Sequence, residues 1–203
     1  MAATHSQGDK TPRTERGRKT LRKLLDAAAT EFAEKGFHEA SISGITRSAG
    51  VALGTFYTYF DSKDAVFRAL VSDMSAGVGK AAREALDPSM GALEIERVAL
   101  RAFLEFAAEH KEIYRIIDEA EFVDPDSYRA HYETIGSRIE ERLKLGGESG
   151  EFAPGLGTPE AWAVMGMNVF LGLRYVIWGR ERDPDFEEIA RRANMLLTRG
   201  IAS

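Results

Sequence analysis

No stretch of the chain alternates Val, Ile, Thr or aromatic residues with polar ones for as many as five positions, whereas apolar residues recur at three- and four-residue spacing throughout. A chain patterned this way has no strands to pair, so it must bury its apolar stripes helix against helix: the predicted fold class is all-α. Leu21, Leu24, Leu25, Ala28 and Phe32 share one face of a first helix that Gly36 ends. A short helix follows over 42–48 with Ser41 as N-cap, Gly50 breaks it, and a second short helix spans Leu53–Tyr59. Asp61 or Ser62 caps the next, which runs toward Ala85 and stops at Asp87-Pro88. Beyond it, the pattern predicts a helix over Ala92–Glu109 with Val98, Ala102, Phe103, Phe106 and Ala107 inward, and a shorter one over 112–118. Three more open at Asp124-Pro125, Thr158-Pro159 and Asp183-Pro184, each an N-cap residue before a proline at the first helical position, and run to about Leu145, Gly179 and Ile201. The glycine-rich stretch 146–157 reads as a surface connection.

Several chemistries are excluded early. None of the 203 residues is cysteine, which removes disulfide scaffolds, thiolate zinc sites and cysteine nucleophiles. His5, His38, His110 and His131 show no three- or four-residue pairing, so no metal is expected. Neither 146–157 nor Gly79-Lys80 carries the Lys-Ser/Thr ending of a phosphate loop, and no cofactor is expected. No apolar run precedes Leu21, and the longest one, 161–178, is interrupted by Asn168 and Arg174. The expectation is a cytoplasmic protein with no membrane partner.

The net charge of −5 conceals a split. Through Lys63, ten Lys/Arg face seven Asp/Glu, a net +3, leaving −8 for the rest. Lys10, Arg13, Arg16, Arg18, Lys19, Arg22 and Lys23 meet only Asp9 and Glu15 in the first 23 residues. Residues 1–17 are therefore read as a flexible basic arm, either a solvated tail or a polyanion-binding element, and the second reading needs a docking element behind it.

Two short helices joined at Gly50 supply that element, because a helix-turn-helix lays its second helix in the major groove and braces it with the first. Ile42, Ile45, Ala49, Val51, Phe56 and Phe60 would seat the pair on the first helix, leaving Ser43, Leu53, Gly54, Thr55, Tyr57, Thr58 and Tyr59 outward. Hydroxyls donate to phosphate oxygens, and Gly54 lets a backbone approach closely. Phe37, Ser41-Ile42, Ile45, Ala49-Gly50-Val51, Gly54-Thr55-Phe56-Tyr57, Tyr59-Phe60 and Ser62-Lys63-Asp64 together resemble the tetracycline-repressor family of bacterial regulators over about the first third of the chain. The resemblance implies a DNA-binding domain over 18–63 and a helical ligand-binding and dimerisation domain over 64–203. It implies a DNA-facing set of Ser41, Ser43, Arg47, Leu53, Gly54, Thr55, Tyr57, Thr58, Tyr59 and Lys63, with Lys63 on a phosphate. Ala52 replaces the family's usual Ser/Thr cap and Leu53 its common polar or basic side chain. Leu53 would then pack on a thymine methyl, and readout would shift to Ser43, Thr55, Arg47 and an arm entering the minor groove.

The later helices are rich in Phe103, Phe106, Tyr114, Phe122, Tyr128, Tyr132, Trp162 and Phe170, with Met165 and Met167 nearby. Each alone reads as core; together they suit an adaptable apolar cavity between the 92–109, 125–145 and 161–178 helices. The expected ligand-binding set is Phe103, Phe106, Tyr114, Phe122, Tyr128, Tyr132, Met165, Phe170 and Arg174. Arg174 must pair, most simply across a subunit interface, reach solvent, or meet an anionic ligand. The expected function is a ligand-responsive repressor that binds a palindromic operator in double-stranded DNA as a homodimer. Its expected inducer is a small hydrophobic effector, such as an acid or an acyl thioester. It is not expected to be an enzyme; a small all-α enzyme or a helical adaptor using the aromatic cavity are the alternatives, and DNA binding separates them.

Overall fold

A computed structural model describes residues 12–179 and 184–200. Helical periodicity is realised as α1 (Glu15–Glu39), α2 (Ile42–Ala49), α3 (Leu53–Tyr59), α4 (Lys63–Ala85), α5 (Ala92–Glu109), α6 (Glu112–Val123), α7 (Pro125–Ser149), α8 (Thr158–Gly172) and α9 (Phe186–Gly200). No β-strand occurs among the described residues. Nor is any helix among them long and apolar enough to cross a membrane.

Local chemistry accounts for most helix ends. The Thr14 side chain accepts from the Gly17 N–H and starts α1 at Glu15, so positions 15–17 of the expected flexible arm are already helical, while residues 1–11 lie outside the described residues. Gly36, at φ 78°, interrupts α1 before its last three residues. Ser62 Oγ accepts from the Ala65 N–H, so Ser62 rather than Asp61 caps α4.

Four expectations need correction. The 112–118 helix continues to Val123, where Asp124-Pro125 forces the break. Gly157, not Thr158, is the N-cap of α8, because Glu160 reaches back to accept from the Gly157 N–H at 2.8 Å while the Thr158 hydroxyl donates to Glu140. Asp185 caps α9 by accepting from the Glu188 N–H at 2.9 Å, and Asp183 lies outside the described residues. Finally, 146–157 is not merely a surface connection: α7 extends through Ser149, and the Phe152 ring is buried against Gly146, where a Cβ would lie 2.3 Å from it. After Gly172 the chain continues helically but widens into a π-helical segment, Leu173–Ile177, with the Trp178 N–H donating to the Leu173 carbonyl.

The described residues form two compact units: those through Ser72 with Arg115–Ser127, and Asp73–Tyr114 with those from Tyr128 onward. In the first, Phe32, Phe37 and Phe67 make a ring cluster, with Phe67 edge-on to Phe32 at 5.1 Å and to Phe37 at 5.1 Å. Leu24, Ile45, Phe56, Val66 and Leu70 are also buried there. The second unit has two apolar clusters. One joins Ile139, Leu143, Phe152, Ala161, Val164, Met165 and Leu197, and the other Leu100, Leu104, Ala107, Val176, Ala190 and Ala193.

Candidate functional site

In the first unit, the α2–α3 corner is built by hydrogen bonds that need particular residues. Ser41 Oγ accepts from the Gly44 N–H at 3.0 Å, and the Ser41 N–H donates to Glu31 Oε1 at 3.2 Å. Burial works against the charge of Glu31, but the Lys35 ammonium at 2.7 Å, the Ser41 N–H and Arg47 hold its carboxyl below the usual carboxylate range. Gly44 leaves room for this carboxylate, since a Cβ there would lie 2.1 Å from Glu31 Oε1 and displace it. Gly50 then turns the chain in the left-handed region (φ 66°, ψ 36°), its N–H donating to Arg47 and that of Val51 to Thr46.

The turn leaves α3 anchored by Phe56, while Leu53, Gly54, Tyr57 and Thr58 are exposed and Thr55 and Tyr59 half-buried. Ser41, Ser43 and Arg47 are exposed on α2 and its cap. All ten expected DNA-facing residues therefore keep surface, nine of them on the α2–α3 corner and Lys63, half-buried, at the start of α4. Thr58 Oγ1 donates to the Gly54 carbonyl at 3.3 Å, within its own helix. No charged side chain stands on α3, so this helix presents hydroxyls and one leucine, 51% exposed.

Lys63, expected on a phosphate, differs from the other nine in that its ammonium is engaged within the protein. Its Nζ donates to the carbonyls of Phe37 (2.6 Å), His38 (3.0 Å) and Ala40 (3.0 Å) and lies 4.6 Å from the Phe37 ring centre. These carbonyls are left without helical partners by the break at Gly36, and the ammonium's three protons are all used on them. Two further supports of the same joint went unforeseen: Glu119 accepts from the Phe37 N–H at 2.7 Å, and Arg115 donates to the Ala33 carbonyl. Both come from α6, about 80 residues away, and nothing in local sequence signals them.

The second unit holds a cavity of about 70 Å³. Its walls are Val78, Gly79 and Ala82 of α4, Ala99 and Phe103 of α5, Ile135, Arg138, Ile139 and Arg142 of α7, and Met165, Asn168 and Val169 of α8. Of the expected ligand-binding set, Phe103 and Met165 are on this wall. Phe106 lies over Gly77 and against the His110 ring instead. The Tyr114 hydroxyl donates to the Val169 carbonyl at 3.0 Å and fills the notch at Gly172. Tyr128 and Tyr132 pair edge to face at 5.0 Å, with Tyr132 packed on the Ile139 cluster.

Phe122 belongs to the first unit and is 83% exposed; Phe170 is 66% exposed. Arg174 is exposed beside the Tyr175 ring, in the π-helical segment, where it reaches solvent rather than the cavity. The polar groups that do reach the cavity were missed because α7 reads as a polar helix. Arg142 is held by Glu96 in two parallel bonds of 2.6 and 3.0 Å. Arg138 Nη1 and Asn168 Oδ1, by contrast, are buried and have no hydrogen-bond partner among the described residues. Elsewhere in this unit Ser75 Oγ and His131 Nδ1 are 2.6 Å apart, and burial lowers the His131 pKa to about 4. No cluster of three potential metal ligands occurs among the described residues.

The family model for bacterial regulatory proteins of the tetR family matches residues 24–70, which contain the whole α2–α3 corner. The uncharacterized HTH-type transcriptional regulator YdgC of Bacillus subtilis is 32% identical over 105 residues, 50% of this chain and 54% of that protein. The match thus spans about half the length of that relative. YhgD of the same organism, also an uncharacterized HTH-type regulator, is 25% identical over 185 residues, 89% of this chain and 95% of that protein. Among solved structures, FadR from Bacillus subtilis in complex with stearoyl-CoA superposes with a TM-score of 0.75 at 22% identity, covering 89% of this chain and 98% of that one. At that identity the likeness is one of fold.

Proposed function

We propose that the chain is a TetR-family transcriptional repressor that binds a palindromic operator as a homodimer and releases it when a hydrophobic effector binds, a reading supported by the family-model match over residues 24–70 and by the HTH-type relatives. The observation that carries the reading is the α2–Gly50–α3 corner, which exposes Leu53, Gly54, Tyr57 and Thr58 while Phe56 anchors the helix. With no charge on α3, Ser41, Ser43, Tyr57, Tyr59 and the Arg47 guanidinium position the phosphates, and Leu53 meets a thymine methyl. The expected basic arm adds sequence-independent attraction.

Dimerisation would use α8, the π-helical segment and α9. Trp162, Phe170, Trp178 and Leu196 are 45%, 66%, 63% and 67% exposed, a concentration of apolar surface that a second copy would cover in a four-helix bundle. Two corners related by such an axis would address half-sites about 34 Å apart.

The effector would enter the second-unit cavity. That cavity is well below the ~150 Å³ that accommodates benzene, so an effector must widen it by moving its walls. One wall is α4, the same continuous helix that buries Val66, Phe67 and Leu70 in the first unit. An effector that favours the widened state would shift the population away from the DNA-binding one. The reading is of a regulator, with no reaction assigned. Selection of genomic fragments by the full chain, followed by footprinting, tests it: two protected half-sites one helical turn apart are expected. Retention of no specific sequence at low salt would sink the proposal.

A further inference from the structure

We propose that Arg138 is the anchor for the carboxylate of a free hydrophobic acid bound in the second-unit cavity; the inference rests on the effector reading above and narrows its ligand class. Arg138 and Arg142 stand one turn apart on α7 and line the same cavity. Glu96 neutralises Arg142 with a two-bonded contact, while Arg138 Nη1 is buried with no partner among the described residues. The wall and its one acidic partner thus leave a single positive charge uncompensated.

Leaving a buried charged donor unmet is costly, and a guanidinium fork is matched in shape and charge by a carboxylate. Around it the wall is aliphatic or aromatic: Val78, Ala99, Phe103, Ile135, Met165 and Val169 offer a body site for a hydrocarbon and nothing else. Asn168, whose Oδ1 is likewise buried and unmet, adds a second polar group on the wall. An ester or thioester linkage puts only a neutral carbonyl at the end of the hydrocarbon, with the phosphates of an acyl-CoA many bonds beyond it, and would leave the charge as it is. The acid is the form that meets both halves of the site.

Gly79 makes the arrangement possible. A Cβ there would lie 1.9 Å from Arg138 Nη1, so the guanidinium occupies space that only glycine leaves open. Gly79→Ala therefore moves the charge without removing it, in a helix that tolerates alanine well.

The test is titration calorimetry on the full chain with octanoate, methyl octanoate and octanoyl-CoA. Octanoate is expected to bind the wild-type protein most tightly. Arg138→Met should weaken octanoate by about 10- to 100-fold, as expected for loss of a charged hydrogen bond, and leave methyl octanoate unchanged. Gly79→Ala should weaken octanoate in the same direction, with circular dichroism showing both variants folded. Ester or thioester binding more tightly than the acid would overturn the proposal while leaving the hydrophobic-effector reading intact. So would octanoate affinities within twofold of wild type in both variants. Failure of all three compounds to bind would overturn the proposal and the effector reading together.

Discussion

Lys63 and Arg138 are both cations on helices, and the two units use them in opposite ways. In the first unit Lys63 is spent inside the protein on three carbonyls at the end of α1. In the second, Arg138 keeps a buried N–H that meets no partner among the described residues. The difference teaches that an exposed helical corner can be braced by a charge spent on backbone carbonyls, while a cavity wall can carry a charge that no described residue completes. Formal charge near a motif is thus a poor guide to which cation is available.

The largest effect should come from making a second unspent arginine. Glu96→Leu would strand Arg142, whose side chain is only 20% exposed, and should cost about 3–5 kcal/mol in urea unfolding. The double variant Glu96→Leu/Arg142→Met should regain most of it. A single variant as stable as wild type would mean that this unit tolerates unpaired buried charge generally, and Arg138 would lose its distinction.

His131 gives the next effect. Its pKa is lowered to about 4 by burial, so between about 6.5 and 4 the unfolded chain binds the proton more readily than the fold does. Its contribution is present above about pH 6.5 and is lost as pH falls through about 4, amounting to about 3 kcal/mol at most from 1.36 kcal/mol per unit. His131→Gln should flatten that part of the stability profile. An unchanged slope would assign the acid loss to carboxylates, such as Glu188, whose contacts with Arg191 and Arg192 lower its pKa to about 2.

Lys63→Met should lower stability by about 2 kcal/mol, because the carbonyls at the α1 joint lose a charged donor. The salt dependence of DNA binding should stay as it is. A salt slope reduced by about one unit with stability intact would return Lys63 to the phosphate backbone and erase the contrast with Arg138.

Smallest in stability is Tyr57→Phe, expected within about 0.5 kcal/mol of wild type by thermal unfolding. DNA affinity should nevertheless fall severalfold in a binding titration. Unchanged affinity would take the Tyr57 hydroxyl out of the interface.

The sequence made the α2–α3 corner legible because its determinants are local: a serine cap, a glycine turn and a phenylalanine at helical spacing lie within 20 residues. The helices of the second unit were legible for the same reason. What escaped were pairings across long sequence separations. Lys63 reaches carbonyls 23 to 26 residues back, Glu119 reaches Phe37 from 82 residues away, and Arg138 lies over Gly79. Aromatic residues proved a weaker guide to the cavity wall than aliphatic ones, because Tyr114 and Phe106 fill glycine notches instead.

The π-helical segment Leu173–Ile177 has its own bearing on how this chain should be aligned with its relatives. A turn that closes from residue 173 to 178 holds one residue more than an α-helical turn, so side chains beyond it are offset by roughly 100° from a regular continuation. Helical-wheel projections carried unbroken across 161–178 will therefore assign its last residues to the wrong face. A helix can absorb a one-residue insertion in this way without opening a loop. Where a relative has one residue fewer in this region, the gap belongs within 173–177 and not in the connections on either side.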